Sequence, residues 1–343
     1  MTKRIEHRRR EPASGVFRLE LPLPFEGLDR VNAYLLADPA GATLVDCGIY
    51  LPDASGDHGW PEVVAALEAC EVRVEDVTRL VLTHSHVDHY GMAGRFKEES
   101  GCEVVMHRAA DKELEILRDP ERFAEELRGT YRDHGVVESD LDELTRYEDW
   151  RGFVHSVITA DTWLEGDESL DVGGRSWKTV YTPGHSISHV CLWCEEESLL
   201  ISGDHLLPSI TPHIDFRRGE GDPLGDYLES LERVEDLRPE VVLPGHGWPF
   251  EDGAERARVT ARHHERRLGS ILQVIRHNAC TADQITEEIF GGTLLDFRRR
   301  LALGEALAHI HYLRVRGEIE RIEEGGRFLY RKVSRRAARE VEE

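Results

Sequence analysis

Four residues that can ligate a metal ion stand within six positions of this chain: His84, His86, Asp88 and His89, in Thr83-His84-Ser85-His86-Val87-Asp88-His89. Imidazoles and a carboxylate crowded onto one loop must be solvated, paired or metal-bound, because polar groups taken out of water without a partner are costly. The apolar run Leu80-Val81-Leu82 just before them reads as a buried strand, so the ligands sit where a strand ends. Side chains alternate along extended backbone, which puts His84 and His86 on one face. Asp88 and His89 reach the same centre only if the chain turns there. Gly91 is expected to help make that turn, and Met92 to Glu99 reads as a short helix.

Three later segments repeat one design, an apolar strand ending in a Gly-containing turn that carries His or Asp. They are Thr182-Pro183-Gly184-His185, Ile201-Ser202-Gly203-Asp204 and Leu243-Pro244-Gly245-His246. Seven nitrogen and oxygen donors are too many for one tetrahedral zinc and about right for two divalent ions with an open position between them. No Cys occupies a ligand position, so the donors are borderline to hard; two divalent metal ions are expected, Zn²⁺ first, with Mn²⁺ or Fe²⁺ open.

This order of motifs, HxHxDH followed by His, Asp and His, resembles the metallo-β-lactamase superfamily from about Val16 to Pro249, with every ligand of the family matched. The resemblance implies that His84, His86 and His185 hold a first metal, that Asp88, His89 and His246 hold a second, and that Asp204 bridges them. It also places Asp46, in Leu44-Val45-Asp46-Cys47-Gly48, beneath the metals, where it can accept a ligand imidazole's second N–H; the same residues read equally as a turn. His189 and His205 flank ligand positions and are candidates for supporting contacts. His107, His155 and His213 could line a substrate pocket.

The expected chemistry is hydrolysis. Two ions roughly 3.5–4 Å apart supply a hydroxide at neutral pH and stabilise the oxyanion made by its attack. Asp88 is a candidate for orienting the water or passing a proton to the leaving group. There is no Gly-x-Ser-x-Gly elbow, and Ser186 reads as a turn residue.

The elements that must position these residues alternate along the first 253 positions. Ala33-Leu36, Thr43-Val45, Leu80-Leu82, Glu103-Met106, Lys178-Tyr181, Leu199-Ile201 and Val241-Leu243 read as strands. Trp60-Cys70 and Leu224-Leu237 read as helices. Periodicity alone leaves a doubly wound sheet open. The resemblance implies an α+β fold, a four-layer αββα sandwich with the metals at strand ends along one edge.

Two segments look added. Residues 107–160 form a charged, mostly helical insertion, with helices expected at Asp111-Arg118, Glu121-Arg128 and Leu141-Tyr147; its Phe123, Tyr131, Tyr147, Trp150 and Phe153 could roof the cleft as a lid. Residues 254–343 form a C-terminal domain: a helix from Ala254 to His277, a short helix capped by Thr281, and a helix from Asp296 to Arg316 ended by Gly317. A hairpin turning at Gly325-Gly326 follows. This order is winged-helix-like, and Ala308-His309, Leu313, Gly317 and Ile319 resemble the tail of superfamily hydrolases that include the lactamase-beta-like endoribonucleases. Arg298-Arg299-Arg300, Arg314 and Arg316 could contact phosphates, whereas Glu318, Glu320, Glu323 and Glu324 on the wing oppose that.

The formal charge of −23 is uneven: residues 254–343 hold 18 basic against 14 acidic side chains, leaving −27 for the remainder. That acidic part would repel a polyanion. No run of about 18 apolar residues is present, so no membrane span is expected, and the basic start Lys3 to Arg10 is followed by no apolar stretch. A cytoplasmic location is the expectation. The six cysteines show no framework, and Cys191 and Cys194 fall in a strand, where i and i+3 face opposite sides.

Some superfamily branches are set aside on sequence. Only 41 residues separate Asp204 from His246, too few for the inserted domain of the RNA 3′-processing nucleases, and flavodiiron enzymes carry Glu where His86 stands. The function expected is a dinuclear metallohydrolase acting on an ester, thioester or lactone, resembling the glyoxalase II branch, with a small-molecule substrate as partner. A phosphodiesterase or endoribonuclease using the same centre is the alternative, and a mononuclear iron dioxygenase or a nucleic-acid-binding regulator stands behind it.

Overall fold

A computed structural model describes residues 10–51, 57, 59–146, 148–219, 221–291 and 296–333; Tyr147 and the basic residues Lys3 to Arg9 lie outside them. The chain divides into two compact units. The first is Met1–Pro120, Glu148–Pro212 and Ser230–Ala257; the second is Glu121–Tyr147, His213–Glu229 and Arg258–Glu343. The last boundary falls close to Gly253, and two earlier segments also join the second unit.

In the first unit, β1 (Val16–Phe25), β2 (Leu28–Leu36), β3 (Ala42–Val45), β4 (Val77–Val81), β5 (Glu103–His107) and β6 (Thr162–Leu164) form one sheet in chain order. The β1–β2 and β2–β3 pairs are antiparallel, and the pairs from β3 to β6 are parallel. A second sheet holds β7 (Ser169–Val172), β8 (Arg175–Tyr181), β9 (Val190–Cys194), β10 (Leu199–Gly203), β11 (Val241–Pro244) and β12 (Phe250–Glu251), again in order. Its one parallel pair is β10–β11, so these two strands end at the same edge.

Strand alternation builds the layers. Leu80, Val104 and Met106 face outward to the helices Trp60–Glu68 and Ala93–Ser100, meeting Val63, Leu67 and Phe96. Their neighbours Val81 and Val105 face inward, where they meet Leu192, Ile201 and Leu243 of the other sheet. Over the second sheet, Ser230 and Arg233 of the helix Pro223–Leu237 donate to the carbonyls of Pro183 and Tyr181. Helix, sheet, sheet, helix is the four-layer sandwich expected. Val190, Leu192 and Cys194 face the core between the sheets, whereas Cys191 turns away toward Thr182 and Ser202.

The second unit packs Leu303, Leu307, Ile310 and Leu313 of the helix Asp296–Val315 against Ile271, Ile275 and Ile285, with Tyr131, Leu141 and Leu144 in the same core. Thr281 caps the helix Ala282–Phe290 through a reciprocal box with Gln284. β13 (Ile319–Glu324) and β14 (Arg327–Lys332) form the hairpin, its turn residues Gly325 and Gly326 both at positive φ, as a tight hairpin requires. Among the described residues no helix is long and apolar enough to cross a membrane.

Candidate metal centre

The first ligand loop leaves β4 in extended backbone, and a helical turn, Val87–Tyr90, follows directly. That turn swings Asp88 and His89 back beside His84 and His86. Gly91 caps this turn, its N–H donating to the Val87 carbonyl, and its φ of −53° is right-handed, so no special conformation is needed. Its reason is space, because a Cβ there would lie 2.4 Å from the Val87 carbonyl oxygen, 2.6 Å from that of Phe153 and 2.7 Å from the Tyr50 nitrogen.

Hydrogen bonds behind the imidazoles fix which nitrogen each presents. Asp46 Oδ2 lies 2.8 Å from His89 Nδ1; a carboxylate only accepts, so Nδ1 carries the proton and Nε2 the lone pair. The Thr83 hydroxyl donates to Asp46 and lies 3.0 Å from His84 Nδ1, which makes His84 Nδ1 a donor as well. His246 Nδ1 donates to the Arg30 carbonyl at 2.9 Å. The Nε2 atoms of His84, His89 and His246 and Oδ1 of Asp204 are buried and make no hydrogen bond among the described residues. Aligned lone pairs with no donor to receive are what a cation site needs.

The remaining ligands arrive from the second sheet. Asp204 follows β10, and His246 follows β11 after Gly245. A Cβ on Gly245 would come 2.3 Å from Asp204 Oδ1, and one on Gly203 would come 2.7 Å from His189 Nε2, so both glycines are there to let side chains converge. His189 supports Asp204 directly, its Nε2 accepting from the Asp204 backbone N–H at 3.1 Å, while its Nδ1 meets Thr182 Oγ1 at 2.8 Å. Asn32 and Tyr34 of β2 donate to the Pro244 carbonyl, tying the first sheet to the loop of His246.

Ligand atoms of His84, His86 and His185 lie within 4.8 Å of one another, and so do those of Asp88, His89 and His246; a further group joins His84 and His89 to Asp204. Asp204 stands between the two trios, Oδ2 being 3.7 Å from His185 Nε2 and 3.3 Å from His246 Nε2, and Oδ1 3.4 Å from His89 Nε2. His86, Asp88 and His185 are partly exposed, which leaves an approach from solvent. The donor set, all imidazole and carboxylate, fits divalent ions of the zinc, manganese and iron type.

The electrostatics of the two halves differ. Burial and the surrounding imidazoles push the His84 pKa well below its usual value, which favours a neutral imidazole there. Burial also opposes charge on His89, but Asp46, Asp204 and Asp88 outweigh it and draw its pKa well up; His246 rises to about 10 because Asp204 and Asp88 overcome its burial. Asp88 falls to about 2, its burial outweighed by His89 and His246. The carboxylates that favour positive charge on His89 and His246 would favour a bound cation in the same place.

Glu113, which no motif flagged, is also here. This buried carboxylate accepts from Ser85 Oγ at 2.7 Å, Ser186 Oγ at 2.8 Å, Ile187 N at 3.0 Å and Ser188 Oγ. Ser186, read from sequence as a turn residue, thus has a partner. The signal was available: with Ala110, Leu114 and Leu117 buried, Glu113 lies on the same stripe of its segment, and a charge in an apolar stripe marks an unusual requirement.

The remaining candidates have the following surroundings. His205 is buried with its ring 6.0 Å from that of His189. His107 stacks on Tyr181 and accepts from Ala109 N, His155 packs edge-on to Tyr50, and His213 of the second unit lies 3.9 Å from Glu305. The insertion's aromatic residues separate: Trp150 and Phe153 pack on Phe25, while Phe123 and Tyr131 belong to the second unit's core. Of the arginines considered for phosphate contact, Arg299 pairs with Asp140 and Asp283, and Arg316 with Asp222. Arg314 lines a cavity of about 380 Å³ in the second unit, with Arg218, Arg321, Phe328 and Tyr330.

Comparison with known proteins agrees with this architecture. The sequence profile of the metallo-beta-lactamase superfamily matches residues 27–246, and that of the metallo-beta-lactamase-like C-terminal domain matches residues 268–333. The probable metallo-hydrolase YqjP of Bacillus subtilis is 26% identical over 93% of this chain and 98% of its own length. An atrochrysone carboxyl ACP thioesterase of Aspergillus fumigatus is 24% identical over 77% of this chain and 69% of its own. The crystal structure of a metallo-beta-lactamase family protein from Thermus thermophilus superposes with a TM-score of 0.81 at 31% identity, covering 94% of this chain and all of that one. With its ligand trios at the edge of an αββα sandwich and both profiles matched in order, the chain belongs to the metallo-beta-lactamase superfamily and is a metallo-hydrolase of that fold.

Proposed function

We propose that this hydrolase works with two divalent metal ions, zinc first, on the carbonyl of an ester, thioester or lactone. The observation that carries the reading is the position of Asp204, whose two oxygens lie between the His185 side and the His89 and His246 side of the centre. His84, His86 and His185 would hold one ion, Asp88, His89 and His246 the other, and Asp204 both. When bound, two such ions supply a hydroxide at neutral pH and polarise the carbonyl.

The chain's own residues do the rest. Asp46, Thr83 and the Arg30 carbonyl keep three ligand imidazoles in the tautomer whose Nε2 faces inward. Asp88, partly exposed beside His246, is assigned to orient the attacking water and to pass a proton to the leaving group. Acyl over phosphodiester substrates is supported by the thioesterase among the relatives.

The test is elemental analysis of protein purified without chelator, joined to a hydrolysis screen with a thioester, a lactone and bis(p-nitrophenyl) phosphate. Two equivalents of metal with acyl activity are expected. Phosphodiester activity alone would replace this reading with a nuclease, and one equivalent of iron with neither activity would replace it with oxygen chemistry.

A further inference from the structure

Resting on the two-metal reading, we propose that Glu113 is a positioning residue for the trio His84, His86 and His185, and that it sets the metal affinity of that half of the centre. Its carboxylate gathers four donors from two loops. Oε2 accepts from Ser85, between His84 and His86, and from Ser186 and Ser188, just after His185; Oε1 accepts from the Ile187 backbone N–H at 3.0 Å. The first loop follows β4 of one sheet, and the second joins β8 to β9 of the other. One side chain therefore clamps together the two loops whose separation decides whether the three imidazoles converge.

The hydrogen-bond directions show why a carboxylate is needed. Ser186 Oγ accepts from Ser188 N at 3.1 Å, which leaves its proton for Glu113. Ile187 N–H can only donate. A carboxylate accepts on both oxygens and meets all four donors. A glutamine can keep its oxygen toward Ile187 only by turning its amide toward three serine hydroxyls, and two N–H groups serve two of them. Alanine would leave the donors facing a void. Burying a carboxylate here costs desolvation that an apolar residue on the stripe of Ala110, Leu114 and Leu117 would avoid, and that cost is offset if the clamp is what the site requires.

Partners behind metal ligands typically account for about 10–100-fold in affinity or activity. Zinc retention would be measured against graded chelator for wild type, Glu113→Ala, Glu113→Gln, His185→Ala and His246→Ala, together with visible spectra of the cobalt-substituted proteins. Glu113→Ala should release one of two equivalents at roughly 10–100-fold lower chelator, with a cobalt spectrum resembling that of His185→Ala rather than His246→Ala. Glu113→Gln should fall between. Adding Ser186→Ala to Glu113→Ala should change affinity by less than the sum of the single effects, as for residues in one network.

A folded Glu113→Ala protein that holds both equivalents as tightly as wild type overturns the proposal. If that variant does not fold, Glu113→Gln and Ser186→Ala decide by the same ratio. Wild type holding fewer than two equivalents overturns the two-metal reading instead, and the Glu113 proposal then stands or falls on the affinity of the equivalent that remains.

Discussion

Asp46 accepts the Nδ1 proton of His89 at 2.8 Å from a backbone held at a φ of 62°. Through Thr83 the same carboxylate also orders His84, so one buried acid governs an imidazole in each trio. Asparagine tolerates positive φ but has one acceptor where two N–H groups, of Thr83 and His89, now find two. Asp46→Asn should keep the fold and lose about 10–100-fold in metal affinity, measured by chelator competition with circular dichroism as the control. Unchanged affinity would remove Asp46 from the site.

On the proposed assignment Asp204→Ala would take a ligand from both ions and should abolish turnover and impair loading of both. His246→Ala should weaken one. Elemental analysis of the two variants side by side is the check; full activity with two metals in Asp204→Ala, or equal loss of both ions in His246→Ala, contradicts the assignments.

Gly245→Ala should inactivate while leaving the sandwich folded. The added methyl would lie 2.3 Å from Asp204 Oδ1 and 2.8 Å from His89 Cε1, so these ligands must move. Gly91→Ala, by contrast, meets only backbone and should cost stability, roughly 1–3 kcal/mol as for overpacked cores. Denaturant titration and kcat measured on both variants separate the two outcomes.

The second unit should lose stability in mild acid. His134 hydrogen-bonds Tyr330 OH at 2.9 Å, and burial, with Arg218 adding to it, pushes its pKa from 6.5 down to about 4. Between those values the unfolded chain binds a proton that the folded one refuses, so stability is full above pH 6.5 and falls as pH drops toward 4. The loss from this group by pH 5 is roughly 2 kcal/mol. Denaturant titrations of wild type and His134→Gln at pH 7.5 and 5 should show that much less pH sensitivity in the variant; equal sensitivity would argue against it.

Replacing Cys191 and Cys194 together with Ser should leave metal content unchanged. The two thiols lie on opposite faces of β9, and metal lost from the double variant would contradict that geometry.

The convergence of the candidate ligands was legible because chemistry restricts them to few residue types, and because each follows an apolar run that had to be a strand. Asp46 could be placed beneath the metals only through the family resemblance, since a turn explains its sequence context equally well. Gly91 was expected at the turn and does cap it, but sequence shows that a glycine is present, not whether dihedral or space demands it. Glu113 was passed over among Asp111, Lys112 and Glu115, where one more acid looks like a solvated face, although its place on the stripe of Ala110, Leu114 and Leu117 set it apart. The aromatic residues from Phe123 to Phe153 were read as one group because apolar spacing marks burial without saying in which core. Phe123 and Tyr131 went to one unit and Trp150 and Phe153 to the other.

Each trio draws on both sheets: His84, His86, Asp88 and His89 follow β4, while His185, Asp204 and His246 follow β8, β10 and β11. Neither sheet by itself carries a complete set. During synthesis the last candidate ligand emerges more than 150 residues after the first, so a half-made chain would lack a complete set for either proposed ion. If two ions bind as proposed, loading both would report that the two halves of the sandwich have closed in register, and the cations would rivet the seam as well as serve the reaction at its mouth.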